Sequence, residues 1–143
     1  MTILTKSHEI EDLCKKLKNE IFICVDTEFI REKYYYPKLC LIQIGDSKGN
    51  GWAIDPLVND INLNPIFDLL LNEKILKVLH SPRQDFEIIF NILKKIPKPI
   101  FDTQSAAMTC GYGDSASYEF LVNKIVNIKL DKSARFTNWE NRP

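Results

Sequence analysis

The sequence has no Cys-x-x-Cys pair, no surplus of either charge, only 5 glycines, and no apolar run of the ~18 residues a membrane-spanning helix needs. Each absence removes a class. Without paired spacing, Cys14, Cys24, Cys40 and Cys110 are expected to be reduced, buried thiols rather than zinc ligands or bridges. Lys plus Arg (19) balances Asp plus Glu (19), so no global positive field announces a nucleic-acid partner, and any such binding must be local. Few glycines together with 7 prolines exclude collagen-like and low-complexity chains. The opening MTILTKSHEIEDLCKKLKNE carries acids and no long apolar core, so the expected location is cytoplasmic, with no membrane partner. What remains is 143 residues, 45% hydrophobic and 27% charged. That is the length of one domain, which buries roughly two-thirds of its unfolded surface and needs no staple.

Periodicity divides this single domain into elements. After Ser7, a candidate N-cap, Ile10, Leu13, Cys14 and Leu17 recur at helical spacing. Ile21 to Asp26 is nearly continuously apolar, as a strand covered on both faces would be. Leu39 to Gly45 and Gly51 to Asp55 read as an antiparallel hairpin about the turn residues 46–50. From Asn64 the pattern alternates: helix to Leu71, strand from Ile75 to His80, helix from Pro82 to Lys95, a short PIFDT strand, then helices over Gln104 to Cys110 and Ser117 to Val126. Ser81, Pro82 and Gln84 read as a capping box. A meander followed by strand–helix units predicts an α/β fold. The expected sheet is mixed, with about five strands, the first three antiparallel, and helices on both faces.

Strand alternation sends Asp26 and Glu28 of VDTEF to one side, their Cα atoms ~6.5 to 7 Å apart. Two carboxylates this close repel, and a hard divalent ion such as Mg²⁺ or Mn²⁺ resolves the conflict with oxygen ligands. D-x-E alone is unspecific, since a solvated strand end has the same pattern. Asp85 adds weight: Ile88, Ile89, Ile92 and Leu93 define the apolar stripe of its helix, and Asp85 lies on that stripe. A first-turn acid favoured by the helix dipole is the alternative. Between these acids, REKYYYPK alternates Arg31, Lys33 and Lys38 with Tyr34, Tyr35 and Tyr36. Such a segment holds phosphate and stacks an unpaired base, or packs as a tyrosine-rich lead into a strand. His80 reads as a satisfied buried histidine rather than a ligand, and Asp102 as the cap of the following helix.

Taken in order, VDTEFIREKYYYPKLCLIQIG, LHSPRQDFEIIF, IFDTQSAA, GYGDSASYEFLV and LDKSARFTNWENRP resemble bacterial ribonuclease D, over nearly the whole chain. The resemblance is to the catalytic domain of the DEDD superfamily of 3′ to 5′ exonucleases, and it implies a ribonuclease H-like fold. It puts the family's first-motif acids on Asp26 and Glu28 and its second on Asp85. The implied reaction removes nucleotides one at a time from RNA 3′ ends, notably of tRNA precursors. The implied chemistry is two-metal hydrolysis with Mg²⁺ or Mn²⁺: Asp26 bridges the ions, Glu28 binds the water-activating ion and Asp85 positions the second. Thr27, Phe29 and Tyr36 are the implied substrate contacts.

The family's third motif, Y-x-x-x-D on a helix, has no counterpart, because neither Tyr112 nor Tyr118 is followed by Asp four residues on. The expectation is a domain over 1–143 that is incomplete at its C-terminus and lacks the accessory helical RNA-binding domain. Such a chain is expected to be impaired as a nuclease, and to self-associate or dock a separate C-terminal piece.

Overall fold

Pairing of short apolar segments builds one mixed sheet in the computed structural model, which describes residues 1–131 and 139–140. Most of the expected LDKSARFTNWENRP motif, at 132–138 and 141–143, lies outside the described residues. The strands are β1 (Thr2–Leu4), β2 (Phe22–Ile30), β3 (Lys38–Gly45), β4 (Gly51–Ile54), β5 (Leu76–Leu79) and β6 (Ile100–Asp102). The helices are α1 (Ser7–Leu17), α2 (Asn64–Leu71), α3 (Arg83–Leu93), α4 (Thr103–Thr109) and α5 (Tyr118–Leu121), the last running into a π-helical turn, Val122–Val126. The sheet order is β1-β4-β3-β2-β5-β6. The meander β2-β3-β4 is antiparallel, while β5 and β6 join β2 in parallel.

Against the expected five or so strands, the described residues form six. The additional one, β1, pairs in parallel with β4. Three residues ahead of a helix are too short to show a period, so only pairing reveals them. A second correction concerns β2, expected to be covered on both faces. Its burial alternates: Ile23, Val25 and Thr27 face the core, while Cys24 and Asp26 are exposed. The core lies on the first side, where Ile23, Val25, Ile42, Ile44 and Ile54 pack against Ile10, Leu13 and Leu17 of α1, Ile66, Leu69 and Leu70 of α2, and Ile89 of α3. A smaller cluster of Ala107, Ala116 and Leu121 joins α4 and α5 at the β5–β6 end. On α3, Ile88 and Ile89 are buried as expected, but Ile92 is exposed.

The cysteines were expected to be buried, yet only Cys40 is; Cys14 is half-buried and Cys24 and Cys110 are exposed, and none of the four is in a disulfide.

Two expected caps are used differently. Ser7 is already helical, and its Oγ accepts the Asn62 amide at 2.9 Å, while the Glu9 carboxylate takes the Thr5 and Lys6 amides. Ser81 forms no capping box: it sits at φ 53°, and its amide donates to Asp102 Oδ1 at 2.8 Å. Asp102 is the cap it was expected to be, since the same oxygen accepts from the Gln104 amide and Oδ2 accepts from the Ser105 hydroxyl. One carboxylate thus ties the start of α4 to the turn preceding α3. Asp102→Ala is expected to lower stability by about 1–2 kcal/mol, read from urea unfolding.

Candidate active site

The site is assembled where β2 runs past the start of α3. Alternation puts Asp26 on the open face of the sheet, opposite Gln43 of β3, whose Nε2 donates to Asp26 Oδ2 at 3.3 Å. The register shifts between Glu28 and Phe29, a bulge that ends the alternation and re-aims the last residues of β2. Asp85 stands in the first turn of α3, buried, and accepts the Thr27 amide at 3.1 Å and the Thr27 hydroxyl through the same Oδ1. Thr27, expected at the substrate, thus commits its hydroxyl to holding an acid.

The charge of Asp85 reaches both acids of β2. Enclosure by the surrounding protein, followed by the Asp85 charge, pushes Asp26 up to about 6. Glu28 is pushed up to about 7, by the same enclosure and then by Asp26 and Asp85. Among the described residues, however, no three His, Cys, Asp or Glu side chains close into a cage that would hold a metal ion. The donor chemistry, carboxylate oxygens whose repulsion a cation would relieve, fits a hard divalent ion.

Beside Asp26 the open sheet face forms a cleft of about 440 Å³, lined among others by Cys24, Gln43, Val78, His80, Thr103 and Tyr118. Thr103 donates its hydroxyl proton to the Leu79 carbonyl, so its oxygen is left to accept from His80 Nδ1 at 2.9 Å. Nδ1 is thereby assigned the proton that faces Thr103. The His80 ring also meets Tyr118 edge-on, with centroids 5.7 Å apart. The reading of His80 as a satisfied histidine holds.

The basic and aromatic segment is placed in the β2–β3 connection, but its cations are engaged. Arg31 makes a two-point pair with Glu87, at 3.1 and 2.9 Å. Lys38 and the Tyr34 hydroxyl both donate to Glu140, at 2.9 and 2.6 Å, and Lys33 lies 3.7 Å from it. Tyr35 and Tyr36 stand out from the surface, 93% and 60% exposed, their rings edge to face. Phe29 is half-buried, with Arg31 over its ring.

Gln43 and Glu140 were not anticipated. Hairpin register would have found Gln43, opposite Asp26. Nothing local marks Glu140, which meets Lys38 across 102 residues of chain.

A family model described as 3'-5' exonuclease matches residues 1–143. The chain belongs to this exonuclease family. It is 51% identical over 142 residues to a ribonuclease D of Zymomonas mobilis subsp. mobilis, covering 99% of this chain and 36% of that protein. A ribonuclease D of Bartonella henselae is 47% identical over 143 residues, covering 100% of this chain and 35% of the relative. The crystal structure of Escherichia coli RNase D, described as an exoribonuclease involved in structured RNA processing, superposes with a TM-score of 0.91 at 34% identity, covering 99% of this exonuclease chain and 37% of that one. This exonuclease chain thus spans little more than a third of the length of the curated relatives it matches. The expected ribonuclease H-like, mixed α/β architecture is the one found. No helix among the described residues of the exonuclease domain is long and apolar enough to cross a membrane.

Proposed function

We propose that this chain is the catalytic part of a 3′ to 5′ exoribonuclease that removes nucleotides from RNA 3′ ends, with tRNA precursors as the natural substrate class. The observation that carries it is the placing of Asp85 on Thr27, between Asp26 and Glu28 of β2, where its charge helps to push both of those carboxyls up, on a chain of the exonuclease family. Asp26, Glu28 and Asp85 would hold two Mg²⁺ or Mn²⁺ ions, which when bound supply an activated water and neutralise charge on the phosphorus and the leaving oxygen. Thr27 fixes Asp85 through its amide and hydroxyl, while Gln43 donates to Asp26 and orients it. Phe29 and Tyr36 supply ring surface for the terminal nucleotides. The test is incubation of a 5′-labelled single-stranded RNA with the chain and Mg²⁺ or Mn²⁺. A ladder shortening one nucleotide at a time from the 3′ end, stopped by EDTA, supports the proposal; an intact RNA in every condition overturns it.

Thr27→Val keeps the shape of the side chain and removes one donor from the buried Asp85 carboxylate. The expected result is a loss of about 1–3 kcal/mol in urea unfolding, together with slower release of nucleotides.

A second reading rests on exposed apolar residues in and after α5. Phe120, Ile125, Val126 and Ile128 are 40 to 61% exposed, along one short stretch of chain. Surface of this kind marks a docking face. The chain by itself would then be a weak nuclease or only an RNA-binding remnant, associating with a second copy or with a separately made C-terminal piece. Light scattering after size exclusion is expected to show concentration-dependent self-association. A monomer at all concentrations, fully active alone, overturns this reading.

A further inference from the structure

We propose that Lys33, Tyr34 and Lys38 form a phosphate-binding site on the connection between β2 and β3, and that the chain's own Glu140 occupies it until an RNA phosphate displaces it. The proposal rests on the RNA reading above and adds to it a subsite and its regulation.

The donors converge on one small anion. Tyr34 donates its hydroxyl at 2.6 Å and Lys38 its ammonium at 2.9 Å, both to Glu140 Oε1, while Lys33 Nζ lies 3.7 Å from Oε2. Two cations and a hydroxyl are thus aimed at a single carboxylate. A phosphodiester presents the same pair of partly charged oxygens with one negative charge, so it satisfies the same donors as a carboxylate does. Glu140 lies 102 residues from Lys38 and 106 from Tyr34, so the contact is a tertiary one rather than a by-product of a turn.

The other candidate grip in this segment is already used, because Arg31 is held at two points by Glu87 on α3. Lys33 and Lys38 are 64% and 38% exposed at their side chains, against 22% for Glu140, so the cations stay reachable from solvent while the carboxylate is enclosed between them. Next to this cluster stand the rings of Tyr35 and Tyr36, 4.8 Å apart by centroid and open to solvent. A single strand leaving the phosphate site would meet stacking surface at once, the combination that binds single strands without sequence preference. The Tyr34 and Lys38 donors hold the Glu140 carboxyl down to about 2, so no ordinary change of pH releases it. Release then depends on a competing polyanion or on salt.

The experiment measures anisotropy of a fluorescein-labelled oligouridylate in EDTA, over a range of KCl concentrations, with the parent chain, Glu140→Gln, Glu140→Ala and the double variant Glu140→Ala/Lys38→Gln. Glutamine keeps the size of the side chain and an acceptor oxygen for Tyr34 and Lys38, so it removes the charge without emptying the contact. Both single variants are expected to bind several-fold tighter than the parent at low salt. The slope of log affinity against log salt should steepen by about 0.7, one additional phosphate contact on a single strand. The double variant is expected to lose the gain. Binding by the single variants equal to or weaker than the parent's, with unchanged thermal melts, overturns the proposal and makes Glu140 a structural latch. Absence of RNA binding in all four chains overturns it as well; stepwise release of nucleotides by the parent under Mg²⁺ would then show that the nuclease reading survives on its own.

Discussion

Asp26→Asn is expected to lower the rate of 3′-terminal nucleotide release by about three orders of magnitude, ~4 kcal/mol in activation free energy, while leaving the fold as stable as before or more so. Asparagine has the same shape and can still accept from Gln43, so packing and the β2–β3 register are preserved. What is lost is a negative charge that contributes nothing favourable to the fold. Asp26 is pushed up to about 6 by enclosure and by Asp85, and it is itself a cause of the rise of Glu28 to about 7. Removing it relieves the repulsion on Glu28. The two effects separate a functional acid from a structural one: a residue kept for stability loses both activity and melting temperature on substitution, whereas one kept for chemistry loses activity alone. Single-turnover cleavage of labelled RNA, set beside thermal melts at pH 8, reads both. Retention of most of the parent's rate by the variant would remove Asp26 from the chemistry.

Stability itself is expected to fall as pH rises from about 4 to 7, and divalent ions are expected to reverse that fall. The sign comes from the direction of the two shifts. Asp26 and Glu28 have folded values, about 6 and about 7, above their ordinary carboxylate values. Between those limits the folded chain therefore binds more protons than the unfolded one, and stability decreases with pH. The favourable contribution of the protonated acids is full below the unfolded values and gone once pH has passed the folded ones. A cation favours the ionised forms and acts in the opposite direction. Millimolar Mg²⁺ or Mn²⁺ is thus expected to raise the melting temperature at pH 8 and to do little at pH 5, where protons already neutralise the pair. Asp26→Asn/Glu28→Gln should flatten the pH slope and abolish the metal effect together. An equal metal effect at both pH values, or one that persists in the double variant, would place the ion elsewhere. Because the readout is melting rather than turnover, it tests the acids even in a chain that cleaves nothing.

Much of the fold is local in origin and was legible as such. The meander of β2, β3 and β4 arises from apolar runs joined by the turn residues 46–50, and the later strands alternate with helices at readable spacing. Asp102 behaves as its place before a helix requires, because a short carboxylate two residues from a free amide needs nothing else to bond it. Asp85 is buried as its position on the apolar stripe of α3 implied. The same local logic misjudged Ser7 and Ser81. Their bonding partners, Asn62 and Asp102, come from other parts of the chain, so tertiary geometry decided the outcome. β2 shows a related limit. An apolar run states that its residues avoid water, not that anything covers them, and Cys24 lies on the side left open.

The sequence by itself determined which residues are able to do chemistry: the D-x-E pair sharing one side of a strand, the acid on the inner stripe of a helix, and the alternation of cations with rings in REKYYYPK. Only the tertiary structure decided whom each of these meets. Asp85 is held by Thr27 across 58 residues, Arg31 by Glu87 across 56, and Lys38 takes Glu140 across 102. The physical reason is that a charge responds to distance and to the protein around it, and distance in space is independent of separation along the chain once the sheet has formed. Two carboxylates in a tripeptide are solvated acids; in β2, partly desolvated and beside a third acid, they are pushed up to about 6 and about 7.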